Sequence, residues 1–173
     1  EINPEVKRLA TSRFTYLSNC QASVEVALGD ARLVLEREPP RGFDLLALDA
    51  FSSDAIPVHL LTKEAFALYG RHLRPDGVIA VHVSNRYLNL EPVVVNLARH
   101  FNYQLAIVDY DEDAAGSEDE GDGGSPWWVY SSTWILLTRN EAILDSPAIR
   151  QVSSAAKTNT TSIPLWTDDF ASL

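Results

Sequence analysis

Apolar positions recur with two different periods along this chain, and the switches between them mark alternating helices and strands. Residues 3–14 place Val6, Leu9, Ala10 and Phe14 at helical spacing. Asn3 is positioned to cap that segment, and Pro4 suits its first turn. Val24, Val26 and Leu28 alternate as in a strand. ARLVLERE predicts a short helix, halted by Pro39 and Pro40. FDLLALD is a compact apolar run of the kind buried in parallel sheets, and AFSSDAIP after it has turn chemistry. A helix is expected over about residues 58–73, with Leu61, Ala65, Leu68 and His72 on one stripe. RPDG then predicts a turn, with Gly77 able to take a positive φ. VIAVHVS reads as a second buried strand and NRYLNLEP as its exit loop. Pro92 can begin the next helix, which runs through Val95 and Leu97 to about Phe101. YQLAIVDY predicts a strand, and PWWVYSSTWILLTRN a last, long one. Beyond Asn140 the pattern weakens, and TNTTS reads as an exposed connector.

Strands alternating with helices predict an α/β fold with a doubly wound, mostly parallel sheet and right-handed crossovers. The last two strands are joined by a loop without a helix, so they are expected to be antiparallel. No internal repeat is evident. A length of 173 residues suits one domain with a substantial core.

Composition changes this picture in three places. The net charge is −10, which argues against nucleic-acid binding. Eight carboxylates from Asp109 to Asp122 carry most of it, and the rest of the chain holds only −2. The acidity therefore belongs to one loop, 109–124, which is expected to be mobile. No apolar run reaches the length of a membrane span, and no signal peptide is visible. The chain has no methionine, even at position 1, and is read as an excised piece of a longer polypeptide. Cys20 is the single cysteine and lies in the polar stretch SNCQAS, so it is read as an unreactive thiol.

Candidate chemistry gathers at acidic residues that end predicted strands. Ligands of open α/β sheets sit beyond the carboxyl ends of the strands, so Glu1, Asp30 and Asp49 are expected to line one crevice. Such a wall suits a nucleoside-bearing cofactor and a cationic substrate. Glu1 could accept from ribose hydroxyls, or it is an ordinary charge at a helix start. Asp30 could accept from an adenine amine, with Ala31 allowing close approach, or it caps the following helix. Asp49 ends a very apolar strand and is expected to be partly desolvated, which makes a better proton acceptor. Asp54 lies five residues on, and the pair could bind an ammonium group; otherwise both are turn residues. Ser84, Asn85 and Tyr87 could line the same crevice or satisfy turn backbone groups. His82 is read as a satisfied core histidine. His59, His72 and His100 show no zinc-type spacing, and no metal site is expected. No nucleophile signature appears, and Trp127, Trp128 and Trp134 are read as core and interface aromatics.

At these residues the sequence resembles the spermidine synthase family of aminopropyltransferases, over Glu1 to about Asn140 with WTDDF as a terminal echo. The likeness is to bacterial spermidine-synthase-like proteins, some fused to a membrane-embedded domain. EINPEV resembles the acidic motif after the family's second strand, which implies Glu1 as ribose ligand. GDAR resembles the adenine-recognition segment, implying that role for Asp30. LALDAFSSDAIP looks like the catalytic loop, implying Asp49 as the base and Asp54 as a contact to substrate amino groups. The family separates its two loop aspartates by two residues; here four intervene and Ala55 follows Asp54.

The resemblance implies a class I methyltransferase-like Rossmann fold with strand order 3-2-1-4-5-7-6, truncated at its amino end. It implies decarboxylated S-adenosylmethionine as co-substrate and a diamine such as putrescine as acceptor. A methyltransferase, or a non-catalytic domain retaining the fold, is the alternative. The Gly-rich loop and the β-hairpin region of the family are not in this sequence, so the piece alone is expected to bind adenosyl ligands weakly and to be inactive. A cytoplasmic location, at the membrane surface through an upstream domain, is expected. A homo-oligomer is expected too: SVEVALGD and FDLLALD would lack their usual neighbours. They would then pair with each other, or FDLLALD would pair across a dimer.

Overall fold

The computed structural model describes residues 1–50, 57–85, 88–110, 130–154 and 163–172. They form two compact units, Glu1–Arg41 and Gly42–Leu173. The expectations for Asp54, Tyr87, Trp127, Trp128, TNTTS and the acidic loop from residue 111 onward lie outside the described residues.

In the first unit, helix α1 spans Pro4–Arg13. The Asn3 side chain accepts from the Glu5 N–H at 2.9 Å, and Glu5 and Arg13 sit at the dipole ends that suit their charges. Helix α2 spans Ala31–Arg37 and stops before Pro39. Asp30 caps it by accepting from the Leu33 N–H at 3.0 Å. Gly29 approaches that cap at φ +133°, a conformation that side-chain-bearing residues rarely adopt.

The strand expected at Val24, Val26 and Leu28 does not form. A strand needs a succession of ladder partners. This segment has a single step of them: Glu1 donates its amino group to the Ala27 carbonyl at 3.0 Å and accepts from the Gly29 N–H at 2.9 Å. The Val26 carbonyl accepts from the Lys7 ammonium instead. Val24 and Leu28 remain about half exposed.

The second unit holds a five-stranded sheet in the order β1-β2-β4-β3-β5. Its strands are β1 (Phe43–Leu48), β2 (Leu73–His82), β3 (Gln104–Tyr110), β4 (Ser132–Thr138) and β5 (Ser153–Ser154). β1 and β2 are parallel and are linked through a 3₁₀ turn, Val58–Leu60, and helix α3, Lys63–His72. Helix α4, Glu91–His100, links β2 to β3. β4 runs antiparallel to both β2 and β3, lying between them. That insertion is what the last four strands of the 4-5-7-6 order require, and the expected antiparallel pairing of the last two long strands is present.

The core follows from the apolar stripes. Leu61, Ala65, Leu68 and His72 are buried, as their spacing predicts. Phe66 and Tyr69 of α3 and Val93, Val94 and Leu97 of α4 are buried as well. Ile79, Val81, Ile107, Ile135 and Leu137 supply the buried face of the sheet. Each such side chain contributes about 1.5–3 kcal/mol relative to exposure. α3 begins later than its apolar pattern suggests because Thr62 caps it, accepting from the Ala65 N–H at 3.3 Å.

Two local expectations are corrected. RPDG does not turn the chain; it lies inside β2 as an irregularity of register, Phe43 facing Leu73 while Leu45 faces Val78. Gly77 keeps an ordinary φ. It is needed for close approach, because a Cβ there would stand 2.8 Å from the Phe43 carbonyl oxygen. FDLLALD is an edge strand bonded to β2, so only Leu46 and Leu48 are buried while Leu45 is 58% exposed. SVEVALGD forms no strand, and the sheet of the second unit does not include it.

Candidate functional site

The parallel register of β1 and β2 builds the site. Leu48 faces Val81, so one step further Asp49 comes beside His82 at the carboxyl ends of the two strands. The antiparallel register of β2 and β4 sets Trp134 opposite His82. Neighbouring positions on adjacent strands share a face of the sheet. Asp49, His82 and Trp134 therefore form one row across three strands.

The contacts follow that row. His82 Nδ1 lies 2.9 Å from Asp49 Oδ1. A carboxylate only accepts, so Nδ1 carries the proton and donates. The His82 ring stacks on Trp134 with centroids 4.9 Å apart and planes 21° apart. Asp49 is 61% exposed and His82 is 23% exposed. An edge strand thus leaves most of the Asp49 carboxylate in water, with the remainder of the side chain covered. His82 is satisfied, as its sequence position suggested, but by a carboxylate at a strand end and not by the core.

Ser84 accepts from the Thr133 N–H at 2.6 Å, and Asn85 accepts from the Leu88 N–H at 2.9 Å. Ser84 thus satisfies a backbone group of β4, and Asn85 one in the segment after β2. In the first unit, Glu1 accepts from the Asn3 N–H at 2.8 Å, and Asp30 serves as the helix cap described above. Ala31 is exposed at the first position of α2. Among the described residues no cluster of three His, Cys, Asp or Glu could hold a metal ion. None of their helices is long and apolar enough to cross a membrane. Cys20 is exposed.

Sequence reasoning missed the partnership of His82 with Asp49. The signal was present in part, since Asp49 ends one apolar strand run and His82 lies within the next. The register that aligns them depends on the irregularity at RPDG, which shifts β2 against β1.

Comparison with solved structures decides what architecture this is. The chain superimposes on spermidine synthase from Thermotoga maritima with a TM-score of 0.57 and 11% identity, covering 98% of this chain and 53% of that one. The fold is that of the spermidine synthases. A probable spermidine synthase from Corynebacterium glutamicum gives a TM-score of 0.55 at 19% identity, covering 95% of this chain and 63% of that structure. A spermidine synthase in complex with the transition state analogue AdoDATO gives a TM-score of 0.56 at 11% identity, with 98% and 52% covered. In sequence, the chain is similar to the polyamine aminopropyltransferase of Vibrio vulnificus, at 32% identity over 84 residues. That alignment covers 47% of this chain and 27% of the relative. The chain thus spans roughly half to two thirds of the solved structures it matches, and its alignment reaches about a quarter of the curated relative. No family model matches it.

Proposed function

We propose that this chain carries part of the active site of an aminopropyltransferase, which moves an aminopropyl group from decarboxylated S-adenosylmethionine to a diamine such as putrescine. The observation that carries the reading is Asp49. It stands solvent-exposed at the carboxyl end of a parallel strand, held by a hydrogen bond, in a spermidine-synthase-like fold. The sequence likeness to a polyamine aminopropyltransferase supports it.

In the reaction the amine nitrogen attacks the aminopropyl carbon bonded to the sulfonium. The carbon–sulfur bond breaks and its electron pair neutralises the sulfur, leaving a thioether nucleoside. The proton of the attacking amine goes to the Asp49 carboxylate, which acts as general base. Holding amine and sulfonium in line supplies most of the acceleration. Glu1 would bind the ribose, Asp30 the adenine amine beside Ala31, and Asp54, Ser84 and Asn85 the acceptor. A carboxylate-rich wall favours both a sulfonium and a diamine.

The test is product formation by the protein made from its whole natural reading frame. With decarboxylated S-adenosylmethionine and putrescine, mass spectrometry should detect spermidine together with an equal amount of the thioether nucleoside. Nucleoside release without an aminopropylated amine, or methyl transfer from S-adenosylmethionine instead, would overturn the assignment.

A further inference from the structure

We infer that His82 is a positioning residue for Asp49, fixing which carboxylate oxygen meets the acceptor amine. This rests on Asp49 as the base. The bond between His82 Nδ1 and Asp49 Oδ1 engages one oxygen at 2.9 Å and leaves the other as the one available to an amine. Asp49 sits just past the last residue of an edge strand and is largely exposed, so its own packing sets its rotamer weakly. His82 is better anchored. Its backbone is within β2, between β1 and β4, and its ring lies against Trp134. The order of restraint therefore runs from Trp134 to His82 to Asp49. Among the described residues, His82 alone makes a hydrogen bond or ion pair with Asp49.

A base that must meet a proton in line with a displacement tolerates little misplacement, and an error of about 1 Å costs on the order of 10²-fold in rate. Losing His82 should then lower turnover without weakening acceptor binding to match. An asparagine at this position can place a side-chain N–H near where Nδ1–H stands, whereas leucine cannot.

The test compares steady-state kinetics of the whole-frame protein with those of His82→Asn and His82→Leu. His82→Leu should lower kcat roughly ten- to a hundredfold with the KM for the diamine within about twofold. His82→Asn should recover most of that loss. Unchanged kcat in His82→Leu, or a His82→Asn variant as slow as a folded His82→Leu variant, would overturn the role. A second measurement needs no turnover and so separates failure of this inference from failure of the proposed reaction. Nitrogen-15 shifts of the neutral His82 ring should report the Nδ1–H tautomer, and Asp49→Ala should release it towards Nε2–H. An Nε2–H tautomer in the unmodified protein, or one indifferent to Asp49→Ala, would refute the dyad even if transfer is observed.

Discussion

At the scale of single residues, two side chains make claims that chemistry can check. Asp49→Asn keeps the shape of the proposed base and removes its proton acceptor. Turnover should fall by roughly 10²–10⁴, the usual worth of a general base, and retention of near-normal turnover would exclude the role. Tyr103 is buried, its hydroxyl finds no hydrogen-bond partner among the described residues, and Arg139 lies over its ring with the guanidinium carbon 4.5 Å from the centroid. Burial raises the phenol above its ordinary value of 10.0, and the nearby Arg139 charge opposes that rise more weakly. The folded state therefore holds the phenolic proton more tightly than the unfolded state. The corresponding stability is present below the unfolded value and is lost as pH rises from about 10 through the folded one. Tyr103→Phe should remove that alkaline loss while changing stability at pH 7 by less than about 1 kcal/mol. Denaturant titrations at pH 7 and at alkaline pH would show it, and an unchanged alkaline slope would count against the assignment.

At the scale of elements, the terminal WTDDF segment acts as a clasp on the start of α3. Trp166 is buried and donates its indole N–H to the Ser172 carbonyl at 2.7 Å. Its own carbonyl accepts from the Lys63 N–H at 2.9 Å, Thr62 donates to Asp168 at 2.8 Å, and the Asp168 N–H donates to Glu64 at 3.0 Å. Thr62 thus caps the helix and holds the clasp at once. Thr62→Val should cost about 1–2 kcal/mol. Asp168→Ala should cost about 1 kcal/mol, and the double variant less than the sum, because both remove one shared bond. Strict additivity in urea unfolding would show the two to be independent. Gly77 marks the other sensitive junction. Gly77→Ala should cost about 1–3 kcal/mol, since the new methyl would press on the Phe43 carbonyl and on Leu73. A stability equal to the parent's would mean that the β1–β2 register relaxes freely there.

At the scale of the whole molecule, continuous pairing holds the strands on either side of the acidic stretch. β3 and β4 pair continuously from Gln104 with Thr138 to Tyr110 with Ser132, so the residues flanking that stretch are already adjacent. Deleting residues 111–124 and closing with a short turn should leave a single cooperative thermal transition, with the midpoint moved by only a few degrees. Loss of cooperativity would assign the stretch a structural role. Asp109 and Tyr110, which the sequence pattern shares between strand and loop, are the last residues of β3 and belong on the retained side.

The alternation of helical and strand periods by itself determined the order of the main helices and strands of the second unit as far as Asn140, because buried stripes such as Ala65–Leu68–His72 have one stable solution on a helix. It also determined the caps at Asn3 and Asp30, which depend on hydrogen bonds spanning only two and three residues. The short helices Glu141–Leu144 and Pro147–Arg150 and strand β5, beyond Asn140, were not legible. Asp49 was legible as the end of an apolar strand. Tertiary structure alone decided three things. Val24, Val26 and Leu28 alternate correctly yet form no strand, since a strand is made by its neighbours and only one ladder step is present. FDLLALD reads as a buried strand yet lies at an edge, so Asp49 is more exposed than its apolar neighbours suggested. The junction of Asp49 with His82 and Trp134 depends on which residues face one another across three strands. Residues 33 and 52 positions apart in sequence were brought together by register, a property of paired backbones that no single strand's pattern contains.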